Sequence, residues 1–186
     1  MKNFLLFCLC VIFSVFSVYA QEPVGEPEFV GEALMLFPDN TAKLLEKTTS
    51  NERTRLNAAA LVVGIGKAKT KIVIDGESAR VRIPQEGDYK LIIRAVDNST
   101  DPLSIISVFR FDVKKNSRTA EVSSVNSFGS VSRNNLEYLP FSAKKYGESS
   151  YILTLEEKPA GEYGIIVRNP NSLDEKATIV STFAIE

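Results

Sequence analysis

Five basic side chains bracket one turn signal. Lys67, Lys69 and Lys71 precede Asp75-Gly76, and Arg80 and Arg82 follow it. Asp-Gly is a preferred sequence for a two-residue hairpin turn. Pairing Ile74 with Glu77 across it sets Lys71 opposite Arg80 and Lys69 opposite Arg82. Ile72, Thr70 and Ala68 then face Ala79, Val81 and Ile83, so the expected hairpin has one apolar face and one basic face. Like charges directly opposed across a strand pair repel. The basic face therefore reads either as a surface for an acidic glycan or lipid headgroup, or as a solvated face whose lysines guard a sheet edge.

A second constellation is aromatic. Phe128 stands alone in the polar stretch Lys114 to Asn135, and Tyr138, Phe141, Tyr146 and Tyr151 follow, interleaved with Lys144, Lys145 and Glu148. Long loops presented by a rigid scaffold commonly carry recognition. Phe128, Tyr138 and Tyr146 are the candidates to face a ligand, by stacking on a sugar ring or a partner peptide. Phe141 and Tyr151 read as core. The chain has no Trp, the side chain with the largest stacking face, which weakens the sugar reading.

Catalytic chemistry has few residues to use. Histidine is absent, and the only cysteines, Cys8 and Cys10, sit in the N-terminal apolar run. That removes the commonest general base, the commonest zinc ligands and the usual partner of a nucleophilic Ser. Among carboxylates, Asp97 and Asp101 bracket a turn that their own turn chemistry explains, without the ligand spacing of a calcium loop. Glu156-Glu157 precedes Pro159, but a glycosidase needs two carboxyls about 5–10 Å apart across a cleft, which linear spacing does not supply. Val63 to Thr70 lacks the first Gly and the Ser or Thr of a phosphate loop, and Asn98-Ser99-Thr100 is a formal glycosylation sequon. No catalytic residue, metal or cofactor is expected. A net charge of −1 argues against nucleic acid as a partner.

The elements that must position these residues are short. Apolar runs punctuated by Gly, Pro, Asn and Asp predict strands at Ala33 to Phe37, Ala42 to Lys47, Ala60 to Ile65, Ala68 to Ile74, Ala79 to Ile83 and Tyr89 to Val96. Further strands follow at Ile105 to Val113, Ala120 to Val125, Ser150 to Leu155, Tyr163 to Arg168 and Thr178 to Ile185. Between Thr41 and Leu61 one or two helical turns compete with strand. With no long helical period, the expected fold is all-β, an antiparallel β-sandwich of about ten strands, immunoglobulin-like or jelly-roll-like, or a related barrel.

One echo is internal. Gly87-Asp88-Tyr89-Lys90-Leu91-Ile92-Ile93-Arg94 matches Gly161-Glu162-Tyr163-Gly164-Ile165-Ile166-Val167-Arg168, and both copies read as sandwich corners with a Tyr tucked beneath the sheet.

Met1 to Ala20 has the pattern of a cleaved export signal: Lys2, an apolar run from Phe4 to Val18, and small residues at Val18 and Ala20 before Gln21. The run is shorter than the roughly 20 residues of a membrane-spanning helix. Residues 21–31 read as an extended lead-in and 32–186 as a single β-sandwich domain, exported to the periplasm or outer surface of a Gram-negative bacterium, with no membrane span after cleavage.

At Leu136-Glu137-Tyr138-Leu139-Pro140-Phe141-Ser142-Ala143-Lys144-Lys145-Tyr146-Gly147 and Pro159-Ala160-Gly161-Glu162-Tyr163-Gly164-Ile165 the chain resembles small exported all-β proteins of Bacteroidetes-type bacteria whose function is not established. The resemblance covers the leader and roughly the last third of the chain and implies no catalytic residue. The functional expectation is a non-enzymatic binding or assembly component with a protein or glycan partner. The alternatives are a carbohydrate-binding module using Tyr138 and Tyr146, and a carboxylate-dependent glycan-active enzyme.

Overall fold

A computed structural model of the chain describes residues 24–56, 68–125, 131–133, 135–169 and 178–186. The leader Met1 to Ala20, the strand expected at Ala60 to Ile65, Lys67 and Phe128 lie outside the described residues. Along the chain run β1 (Ala33–Leu36), β2 (Ala42–Leu44), β3 (Glu46–Leu56), β4 (Ala68–Asp75), β5 (Arg82–Ile83) and β6 (Lys90–Arg94). A single helical turn, α1 (Pro102–Ile105), leads into β7 (Ile106–Lys114), β8 (Ser117–Val125) and β9 (Val131–Arg133). The last four are β10 (Phe141–Tyr146), β11 (Ser150–Leu155), β12 (Gly161–Val167) and β13 (Thr178–Ile185).

The strands form two packed sheets, and the antiparallel β-sandwich expected from the sequence is the fold. One sheet has five strands in the order β10-β11-β6-β1-β2. The other has eight, in the order β12-β7-β8-β4-β3-β13-β5, with β9 on β8. Because β12 also pairs with β13, the six strands from β12 through β13 close into a ring of antiparallel pairs. The fold thus has two interiors.

Strand alternation assigns residues to each. Ile106 and Val108 of β7, Tyr163 and Ile165 of β12, and Phe183 and Ile185 of β13 face the core between the sheets, where they meet Met35, Leu91, Ile93 and Leu153. Phe109 and Phe111 point the other way, into the ring, and pack with Ile72, Ile74, Ala120 and Val180. Their rings sit 5.1 Å apart, edge to face. Gly164 faces them from β12, and a Cβ there would lie 2.7 Å from Phe111 and 2.8 Å from Phe109.

Four expectations are corrected. The segment from Ala42 to Lys47 is two strands, interrupted at buried Leu45, whose N–H donates to the Ala33 carbonyl. β3 then continues to Leu56 as strand where helical turns competed, because its backbone is claimed by β13 over Glu46–Ser50 and by β4 over Asn51–Leu56. No strand is expected between Val125 and Ser150, yet Phe141 to Tyr146 forms β10 and pairs with β11. The basic hairpin does not form. β4 lies between β3 and β8, so both its edges are occupied, and β5 pairs in parallel with β13 instead. Asp75-Gly76 ends β4 without folding it back: Gly76 takes φ +87°, and its N–H donates to the Asn116 carbonyl across from β4.

The internal echo divides in the same way. Tyr163 is a buried corner, its hydroxyl donating to the Pro159 carbonyl at 2.7 Å, and burial pushes that hydroxyl's pKa up. Tyr89 is half-buried, edge-on to Phe37 at 5.7 Å with the Lys158 ammonium over its ring.

The space at Gly164 is the tightest constraint on the ring. Gly164→Ala is expected to cost about 1–3 kcal/mol, since the added methyl must displace two buried rings. A urea titration should show a lower midpoint at unchanged slope. An unchanged midpoint would mean that the rings have room to move.

Candidate functional site

Residues 137–139 run along β7 as a short extra pairing: Arg110 N–H donates to the Glu137 carbonyl and Leu139 N–H to the Val108 carbonyl, both at 2.8 Å, with Tyr138 opposite Phe109. Pro140 has no N–H with which to continue. There the chain leaves β7 and enters β10 of the other sheet. On the far side of the gap, α1 is fixed at its start by the Asp101 carboxylate, which accepts the Leu103 N–H at 3.0 Å. The Arg168 N–H donates to the Ile105 carbonyl at 2.7 Å, tying the end of β12 to α1.

The gap is a cleft of about 550 Å³. Leu103, Ile106, Val108, Leu139 and Phe141 form apolar walls, and Ser104, Ser107 and Tyr138 supply hydroxyls. Among the described residues, Arg168 is the only ionised side chain lining it. Its guanidinium has no carboxylate partner among the described residues. Leu103 at 66% and Tyr138 at 44% exposure mark the rim.

The expected aromatic set is dispersed. Tyr138 reaches the cleft, whereas the half-buried Tyr146 donates its hydroxyl to the Val24 carbonyl and holds down the lead-in. Phe141 and Tyr151 are core, as read from the sequence. Beside Tyr146, Glu26 accepts from Arg94 Nη1 at 2.9 Å, from the Ser150 hydroxyl at 2.7 Å and from the N–H groups of Glu148 and Ser149. Burial raises the Glu26 pKa, but these hydrogen bonds and the Arg94 charge outweigh it and hold the carboxyl below the ordinary range. Gly147, at φ +57°, leaves the space that the Glu26 side chain occupies. Residues 24–27 are thus fastened to the β10–β11 turn.

The basic residues are divided between β4, which carries Lys69 and Lys71, and the segment 79–83, which carries Arg80 and Arg82. Lys69 pairs with Glu121 at 2.6 Å, Arg80 with Glu46 at 3.4 Å, and Arg82 with Glu162 at 2.7 Å and Glu186 at 2.8 Å. Lys71 adds to the field that, after the Lys69 hydrogen bond, lowers the Glu121 pKa. The observed register instead sets Arg53 of β3 opposite Lys71 and Arg55 opposite Lys69.

Sequence reasoning missed the strongest electrostatic feature. Arg118, 2% exposed, lies at one end of the ring interior and donates through Nη2 to Glu46 Oε1 at 2.9 Å; its Nη1 stands 3.6 Å from Glu162 Oε2. Thr182 also donates to Glu46 at 2.6 Å, and the Ala79 N–H to Glu162 at 2.7 Å. Arg80, Arg82 and Ala79 therefore tie segment 79–83 over that end of the ring. The one available signal was Arg118-Thr119-Ala120-Glu121-Val122, which puts an Arg in phase with inward apolar positions.

The acidic turn is structural. Asp97 accepts the Ser99 N–H and hydroxyl, Asp101 caps α1, and Asn98 Nδ2, the atom a glycan would need, donates to the Gly147 carbonyl at 3.1 Å. Among the described residues no three His, Cys, Asp or Glu side chains gather to hold a metal. No protein-family model, curated protein or solved structure matches the chain.

Burial raises the Glu46 pKa, but Thr182, Arg118 and Arg80 outweigh it, so the folded value lies below the unfolded one. A depressed carboxylate contributes stability that is present above the unfolded pKa and lost as pH falls through the folded pKa. Urea midpoints should therefore drop below about pH 4.5, and Glu46→Gln should flatten that drop. Arg118→Met leaves Glu46 and Glu162 without their buried cation and should cost about 3 kcal/mol at neutral pH. A neutral result would mean that Arg80 and Arg82 neutralise both acids unaided.

Proposed function

We propose that this is a non-enzymatic binding component of a Gram-negative envelope, in the periplasm or on the outer surface, and that it holds its ligand in the cleft between α1, β7 and residues 138–141. The leader pattern at Met1 to Ala20 supports the location. The cleft carries the binding reading: its 550 Å³ falls within the range of small-molecule sites, and apolar walls with a few polar groups are their usual lining. A hydrolytic reading finds less support, because no carboxylate among the described residues lines the cleft while acid catalysis of glycan cleavage needs two. The half-exposed Tyr138 ring at the rim favours a carbohydrate as the second reading.

The neutral apolar fluorophore N-phenyl-1-naphthylamine tests the cleft. It should brighten and saturate on the folded protein. Ser104→Trp, which places an indole at the rim, should abolish the signal while circular dichroism stays that of the parent. Unaltered brightening in that variant would sink the cleft as the binding site. A glycan array on the parent and on Tyr138→Ala decides the carbohydrate reading: binding lost with the ring supports it, and an empty array removes it.

A further inference from the structure

We propose that the cleft selects an amphipathic monocarboxylate, an apolar chain ending in one carboxylate, with the chain against Leu103, Val108 and Leu139 and the carboxylate on Arg168. The proposal rests on the cleft being the binding site. The first argument is charge. Arg80, Arg82, Arg94, Arg110 and Arg118 each have a carboxylate within 3.6 Å. Among the arginines whose side chains are described, Arg168 alone has none among the described residues, and it lines a cleft with apolar walls. A cation beside an apolar surface with no acid nearby attracts an anion and repels a cation.

The second argument is the internal echo. Arg94 closes the first copy of the repeated strand as Arg168 closes the second. Arg94 binds a carboxylate, Glu26 of its own chain, and a serine hydroxyl, Ser150, completes the grip. At Arg168 a serine hydroxyl, that of Ser107, again lines the same cleft, but no carboxylate among the described residues meets the guanidinium. The missing partner is of the same kind and comes from outside, carried on an apolar chain because the walls beside it are apolar. No covalent step is involved, only an ion pair assisted by hydrogen bonds and burial of the chain.

Competition against bound N-phenyl-1-naphthylamine tests this below micellar concentrations. Decanoate should displace the probe about tenfold more strongly than decanol, and decyltrimethylammonium should be weakest. Arg168→Gln should reduce decanoate to the level of decanol, each measured against that variant's own probe affinity, and Arg168→Lys should restore part of the difference. Equal displacement by all three amphiphiles, or a decanoate affinity untouched in Arg168→Gln, overturns the proposal while leaving the cleft a binding site. Absence of probe binding removes the reading beneath it. Phosphatidylglycerol vesicles separate a free acid from a membrane surface. The protein should not co-sediment with them, and co-sedimentation lost in Arg168→Gln would overturn assignment to a free acid.

Discussion

Pairing β12 with β13 closes the second sheet on itself, and most other features follow from that closure. A ring of six strands encloses a narrow interior that water cannot usefully fill, so its lining must pack to the density of a core. Phe109 and Phe111 supply the volume, and Gly164 concedes the space they need. Closure also removes edges: β4 has a neighbour on each side and cannot fold back on the segment after Asp75-Gly76. That segment is diverted across the end of the ring to pair with β13. Arg118, Glu46 and Glu162 stand at this end, where the covering segment brings Arg80 and Arg82 to meet them.

Much of the fold was legible because burial is written in a period of two. β1, β6, β7, β11, β12 and β13 present apolar residues at the expected positions, and their strands were read within a residue or two. The failures were strands with little apolar content. Glu46–Leu56 has a single apolar residue, so beyond its threonines it carries no alternation that marks a strand; its partners β13 and β4 impose it. Phe141–Tyr146 reads Phe-Ser-Ala-Lys-Lys-Tyr, an edge strand with few inward apolar side chains, whose lysines also discourage further pairing. The Asp75-Gly76 signal was chemically sound for a turn, but a local preference worth about 1 kcal/mol yields to two long ladders with β3 and β8.

The site was legible only in pieces. Tyr138 was singled out, and it stands at the rim of the cleft. Its companions there, Leu103, Ser107 and Arg168, come from distant parts of the chain, and their meeting depends on the chain switching sheets at Pro140. Linear sequence does not encode that meeting. The basic residues illustrate the converse: Lys69, Lys71, Arg80 and Arg82 are near in sequence, yet β4 and β5 take different partners and carboxylates meet them separately.

The two arginines of the echo show how one local solution acquires two uses. Each closes a copy of the repeat that opens with Gly, an acid and Tyr: Arg94 is the last residue of β6, and Arg168 directly follows β12. In the five-stranded sheet the lead-in crosses that end, and Glu26 neutralises Arg94 while Tyr146 and the β10–β11 turn hold the lead-in down. In the ring the described part of the lead-in does not reach the end of β12; α1 and the crossing at Pro140 stand apart there and leave a cleft. A partnered arginine at the first position fastens the chain to itself. At the second, the same side chain beside an open apolar wall has the charge and setting to hold something that is not part of the chain.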